Sequence, residues 1–175
     1  MGKGTEHKDT ALLYPWPKGL NPKDASAYAY NELLFENISP MAIWKVLIRA
    51  RDWPTYYLNS HHVRLRDNDS GDLKLGTKFT WNTFGVKVTS EVKEFIPGKR
   101  MAWDGKIMFG TIYHSWTFYD LDNGSTLLVT EEAQNGVTPV IGNMIFPRKM
   151  KQGHQNWLES LKKKVESEAP PKDSM

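Results

Sequence analysis

From residue 61 to residue 136 the spacing of apolar side chains falls from about 3.6 residues to two, and turn signals interrupt the alternation at intervals suited to antiparallel strands. HHVRLRD, GTKFTWNTF, VKVTSEVKEFI, KRMAWDGK and GTIYHSWTFYD read as successive strands, with turns at Gly85, at Pro97-Gly98 and at Asp122-Asn123-Gly124. A sheet of this extent has one apolar face to cover. The cover follows in TPVIGNMIFPRKMKQGHQNWLESLKKKVESE, where Ile141, Met144, Ile145, His154, Trp157, Leu158, Leu161 and Val165 trace a helical stripe that Pro147 should break or kink. Ahead of the sheet, YAYNELLFENI (28–38) has strand propensity. Ser39 and Pro40 then cap and open a helix over 40–50, with Ile43, Trp44, Leu47 and Ile48 at helical spacing. Asp52 and Pro54 mark a second short helix over 53–58. The order implies an α+β domain in which a curved antiparallel sheet wraps a long C-terminal helix, with two short helices after the first strand. Where such a helix cannot touch every strand, the gap is a cavity lined from both sides.

With 175 residues the chain fits one domain, expected over 26–168. Residues 1–25 hold Pro15, Pro17 and Pro22 around the apolar cluster Leu12, Leu13, Tyr14 and Trp16, the composition of a flexible arm that docks through its aromatic patch. Residues 169–175 have the composition of a tail. The chain has no cysteine, which removes disulfides, thiolate catalysis and thiolate metal ligands. A net charge of +3 comes largely from C-terminal lysines interleaved with glutamates. That is the pattern of a solvated helix face, so no nucleic-acid partner is expected. No apolar run approaches the roughly 20 residues of a membrane span, no signal-peptide pattern opens the chain, and Glu6 stands where myristoylation needs Ser or Thr. A cytoplasmic protein without stable membrane insertion is the expectation; composition does not set the oligomeric state.

His114 stands among Ile112, Trp116 and Phe118 in a strand that otherwise buries apolar side chains. Its partner depends on the turn. A three-residue loop with Gly124 left-handed pairs Leu121 with Ser125 and sets His114 opposite Glu132. A two-residue Asn-Gly turn sets His114 opposite Ala133 and Glu131 opposite Trp116, and the alternation of Leu127 and Val129 suits that register. A facing His and Glu can hydrogen-bond and hold one imidazole tautomer. His154, on the apolar stripe of the last helix, aims at the same space, so His114, Glu132 and His154 are the candidate acid–base residues. Trp81, Trp103 and Trp116 lie mid-strand as candidate aromatic walls, with Tyr56, Tyr57, Met101 and Met144 around the mouth and Leu158 on the floor. His61 and His62 open a strand, so alternation turns one of them inward. No HExxH or comparable ligand spacing is present, nor a phosphate loop, a GxSxG elbow or a dinucleotide fingerprint. No metal and no cofactor are therefore expected.

Over about residues 28–168 the chain resembles the helix-grip superfamily of START-like lipid carriers, birch-pollen-allergen-like proteins and polyketide cyclase/dehydrase proteins (SRPBCC). ISPMAIWKVL and RDWPTYYLN match the family opening, and PGKRMAWDG matches its central G-x-x-L-x-W-x-G pattern. His114-Ser115-Trp116, Gly124-Ser125-Thr126 and Glu132-Ala133-Gln134-Asn135-Gly136 match its H-x-F…G-T…E-x-F-x-G pattern, and that match favours the His114–Glu132 register. The resemblance implies a domain that binds a small hydrophobic or aromatic, oxygen-bearing molecule in an internal cavity. The alternative it implies is a cyclase or dehydratase that uses the cavity His and Glu as acid and base. Gln134 stands where the family has an aromatic residue and His154 where a Leu is usual. Both make the cavity more polar than a purely lipid cargo needs.

Overall fold

Seven strands form one antiparallel sheet in the order β1-β7-β6-β5-β4-β3-β2 in a computed structural model, which describes residues 14–66, 71–145 and 148–169. The strands are β1 (Ala27–Phe35), β2 (His61–Leu65), β3 (Lys78–Thr83), β4 (Val86–Ile96), β5 (Arg100–Ile107), β6 (Gly110–Asp120) and β7 (Thr126–Gly136). The helices are α1 (Pro40–Leu47), α2 (Trp53–Tyr56), α3 (Val137–Ile145) and α4 (Lys149–Glu168). This is the α+β helix-grip arrangement, a curved sheet closed around α4.

The chain reaches α1 as its sequence implies. Ser39 accepts a hydrogen bond from the Ala42 amide and Pro40 opens the first turn, while Ile43, Trp44 and Leu47 face the core. Three boundaries differ from expectation. β1 stops at Phe35, short of 38, and α1 stops at Leu47, short of 50, giving way to a 3-10 turn over Ala50–Asp52 before the four-residue α2. Trp53 explains the end of α1: its indole Nε1 donates to Leu47 O at 2.9 Å, capturing a carbonyl that a longer helix would have used itself.

The expected C-terminal stripe divides into α3 and α4. Pro147, where the break was expected, lies outside the described residues. Ile141, Met144 and Ile145 are exposed in α3, whose buried residue is Pro139, so the stripe belongs to α4 alone. There His154, Trp157, Leu158, Leu161 and Val165 are buried against the sheet and α1. Trp157 sits at the centre of this contact. Its ring stacks on Tyr57 at 4.6 Å and meets Trp116 at 4.9 Å, Trp53 at 5.1 Å and Trp81 at 5.7 Å.

The chain before β1 crosses the outer face of the sheet. Leu20 is buried there with Ala102, Tyr113 and Ala133, and the Trp16 ring meets Tyr113 edge-on at 5.7 Å. Tyr14 covers the Arg100 guanidinium at 4.5 Å, and that buried arginine also donates to Glu94 and Thr117, each at 2.7 Å. Leu12 and Leu13 of the expected aromatic patch lie outside the described residues, as do 170–175 of the expected tail.

Candidate functional site

The hairpin of β6 and β7 sets the site's register. Gly124 adopts φ 76°, which a three-residue loop needs, and Leu121 donates to Ser125 O at 2.9 Å. Counting back, Phe118 meets Leu128, Trp116 meets Thr130 and His114 meets Glu132. Glu131 points to the opposite face, where it accepts from the Tyr28 hydroxyl at 2.6 Å. One residue of slip would have exchanged the two glutamates.

His114 and Glu132 meet His154 from α4. Nδ1 of His114 lies 2.9 Å from Glu132 Oε2, and Nε2 of His154 lies 3.3 Å from the same oxygen. All three residues are buried. Nε2 of His114 is 2.7 Å from Thr130 Oγ1, and the second carboxylate oxygen of Glu132 accepts from the side-chain amide of Gln134. Trp116 stacks on the His114 ring at 5.2 Å and Trp103 lies at 4.9 Å. Burial in this aromatic shell pushes the His114 imidazole down to about 4, against the opposing pull of Glu132, because the charged ring would have no water around it. Burial pushes the Glu132 carboxyl up, but the close approach of the His114 and His154 imidazoles outweighs it and holds the group below the usual carboxylate range. Where these tendencies compete for one proton, the lack of solvent decides for His114, whose ring is neutral at pH 7.

Glu132 and Gln134 border a cavity of about 250 Å³. Apolar side chains come from the β3–β4 hairpin (Phe84, Val86), the facing ends of β5 and β6 (Ile107, Ile112) and α3 (Pro139), and Thr83, Thr138, Asn143 and Lys149 add polar groups to the wall. α3 is held over it at the turn between β5 and β6: Val137 donates to Phe109 O at 2.9 Å and the Thr138 hydroxyl donates to Met108 O. Gly136, at φ 121°, makes this approach possible, since a Cβ there would lie 2.2 Å from Phe109 O. A larger concavity of about 850 Å³ lies beside the Tyr14–Leu20 segment, bordered by Lys93, Glu94, Asp104 and Lys106. It borders none of His114, Glu132 and His154, so the smaller cavity is the candidate site.

The aromatic walls foreseen from the sequence stand elsewhere. Trp81, Trp103, Trp116, Met101 and Leu158 are 0–3% exposed, packed into the core, and do not line the cavity. Trp157 fills the space between them and the helix, leaving no gap for a ligand at mid-sheet. Tyr56 packs against that core, Tyr57 borders a separate surface groove, and Met144 is 79% exposed on α3 without lining the cavity. Neither His61 nor His62 turns inward: both are exposed, because His62 takes φ 52° and the register shifts between His61 and Arg64. The apolar lining of this cavity, Phe84, Ile107, Ile112 and Pro139, was missed because hairpin ends carry no motif. Glu132 and Gln134 signalled it, the first as a carboxylate facing His114 and the second as a polar residue in an aromatic position.

The fold is shared with solved structures. The crystal structure of hypothetical protein jhp0584 from Helicobacter pylori matches with a TM-score of 0.80 and 31% identity, over 86% of this chain and 94% of that one. A START superfamily protein from Mycobacterium smegmatis (TM-score 0.65, 13% identity, 81% and 99% covered) has the same fold. The chain is a relative of the Helicobacter pylori protein and has the START-like helix-grip fold. The Zhui aromatase/cyclase from Streptomyces sp. R1128 shares its fold too, with a TM-score of 0.66 at 12% identity over 85% of this chain and 98% of that one. No protein-family model and no curated protein matches the chain. Among the described residues, no helix is long and apolar enough to cross a membrane.

Proposed function

We propose that this START-like protein binds a small hydrophobic or aromatic molecule in the cavity under α3, with a polar group of that molecule set against Glu132 and Gln134. One observation carries the reading: a cavity with a cluster of apolar side chains that is bordered by a buried carboxylate. At about 250 Å³ it is smaller than the roughly 300–1,000 Å³ of drug-sized sites, which suits a one- or two-ring molecule better than a lipid chain. An ionised Glu132 accepts hydrogen bonds, so a ligand hydroxyl would donate to it, and the Gln134 amide serves as a second contact. The names of the START and aromatase/cyclase neighbours support a binding fold of this kind.

A second reading rests on the convergence of His114 and His154 on Glu132. A neutral His114 beside a carboxylate is equipped to take a proton from a ligand and return it, as a cyclase or dehydratase requires. The ligand would then be turned over as well as held.

Native mass spectrometry of the purified chain tests the first reading. A co-purifying mass that is released on unfolding and lost in Gly142→Trp is the expected result. Gly142 lines the cavity, and a Cβ there meets no atom within 4 Å, so the indole occupies the space without breaking the fold. The same mass retained by Gly142→Trp would contradict the reading. For the second, loss of turnover of the recovered molecule with retained binding in His114→Ala is the expected result, and unchanged turnover the contrary one.

A further inference from the structure

The contacts among His114, Glu132 and His154 are unusual for a purely hydrogen-bonded cluster. Nδ1 of His114 approaches Glu132 Oε2 to 2.9 Å, yet it is buried and has no partner in hydrogen-bonding geometry. If Nε2 of this ring donates to Thr130 Oγ1, Nδ1 carries a bare lone pair facing a carboxylate oxygen. In that tautomer two electron-rich atoms face each other, and a cation between them would relieve the repulsion.

We propose that His114 Nδ1, Glu132 Oε2 and His154 Nε2 bind one divalent first-row transition-metal ion, with Zn²⁺ as the reference case and an open coordination position turned toward the cavity. The donor set, two imidazoles and a carboxylate, suits zinc and its neighbours. The three ligand atoms lie within 4.8 Å of one another, and one ion holding both imidazoles requires their nitrogens to stand no more than about 4.2 Å apart. For metal–ligand bonds of roughly 2.0–2.1 Å, adjacent donors stand about 3.3 Å apart in a tetrahedron and about 2.9 Å apart in an octahedron. The two contacts at Oε2, 2.9 and 3.3 Å, span that interval.

The surroundings have the form of a metal site's outer shell. Thr130 holds the far nitrogen of His114 and can accept from it, which frees Nδ1 for a metal, while Gln134 holds the far oxygen of Glu132 and leaves Oε2 available. Three protein ligands beside a cavity leave a position for water or a ligand oxygen, the arrangement of a catalytic ion rather than a structural one. No metal-ligand spacing announces it, since the ligands stand 18 and 22 residues apart on three elements. The inference stands independently of which small molecule the cavity holds.

The test uses the full chain, stripped with a chelator, dialysed and titrated with Zn²⁺ by calorimetry, and with Co²⁺ for its visible absorption. One ion per chain is expected, with affinity at least 100-fold weaker in both Glu132→Gln and His154→Ala and unchanged in the His61→Ala, His62→Ala double variant. Since a variant can fail to fold, the wild-type ring nitrogens are followed by NMR as well, and Zn²⁺ should move those of His114 and His154. Absence of stoichiometric binding to the wild type would overturn the proposal. So would binding that persists in folded Glu132→Gln and His154→Ala, or bound Zn²⁺ that leaves the His114 and His154 signals in place.

Discussion

A carboxyl group surrounded by aromatic rings would ordinarily hold its proton, and Glu132 escapes this because two imidazoles and an amide converge on its oxygens. His114 shows the opposite tendency, kept neutral by burial. Folded His114 takes up a proton only near pH 4, whereas the unfolded side chain does so near 6.5. Unfolding therefore binds a proton between these values, and acidification across that window favours the unfolded chain. In chelator-treated protein, stability should fall by on the order of 3 kcal/mol from about pH 6.5 to about pH 4, at about 1.4 kcal/mol per pKa unit. Glu132 adds to the loss below its ordinary 4.5, because its folded carboxyl is depressed and the stability it carries disappears as it protonates. Denaturant melts across this range would show the slope, and His114→Gln should flatten its upper part; an unchanged slope would mean another group titrates. Glu132→Gln should push the His114 titration lower still, by removing the charge that favours imidazolium. Glu131→Gln should do little, since that carboxylate faces the Tyr28 hydroxyl on the other side of the sheet. This pairing was legible in the sequence as far as the turn allowed: Gly124 in its left-handed conformation selects one of two registers that the apolar pattern alone left open.

At the scale of elements, α4 holds the molecule together and its buried stripe predicts the cost of damage. Leu161→Ala should destabilise the chain by about 2–5 kcal/mol, measured by denaturant unfolding, because a fully buried leucine leaves a cavity that the surrounding rings cannot refill. Truncation at Gln152 should abolish the cooperative thermal transition, and a transition kept at the same midpoint would show that the sheet does not need the helix. Gly153 calls for a different expectation. Alanine normally improves a helix by about 1 kcal/mol over glycine. Here a Cβ would come within 2.4 Å of the Phe84 ring, which lines the cavity and lies 6.1 Å from His154. Gly153→Ala should therefore show little or none of that gain and should displace Phe84, visible as a changed ring-current shift at His154. Element types were legible because the period of apolar residues changes from 3.6 to 2 and back. Element ends were not: Trp53 stops α1 through a tertiary hydrogen bond, and the apolar residues of α3 mimic a buried stripe while facing outward.

For the whole molecule, periodicity assigns a side chain to a face but says nothing of what occupies the space opposite. Trp81, Trp103 and Trp116 do face inward, yet Trp157 from α4 takes the volume they would have walled, and the cavity opens instead at the end of the sheet under α3. The account thus rests on the cavity beside Glu132 as the binding site, in preference to the larger concavity beside the Tyr14–Leu20 segment. The most direct test is an NMR titration with 2-naphthol, a two-ring probe with one hydroxyl, followed at the histidine ring nitrogens, the Gln134 side-chain amide and the Trp16 indole. Saturable shifts at His114, His154 and Gln134 that vanish in Gly142→Trp are the predicted result. Shifts confined to Trp16, or shifts at the histidines that persist in Gly142→Trp, would contradict it.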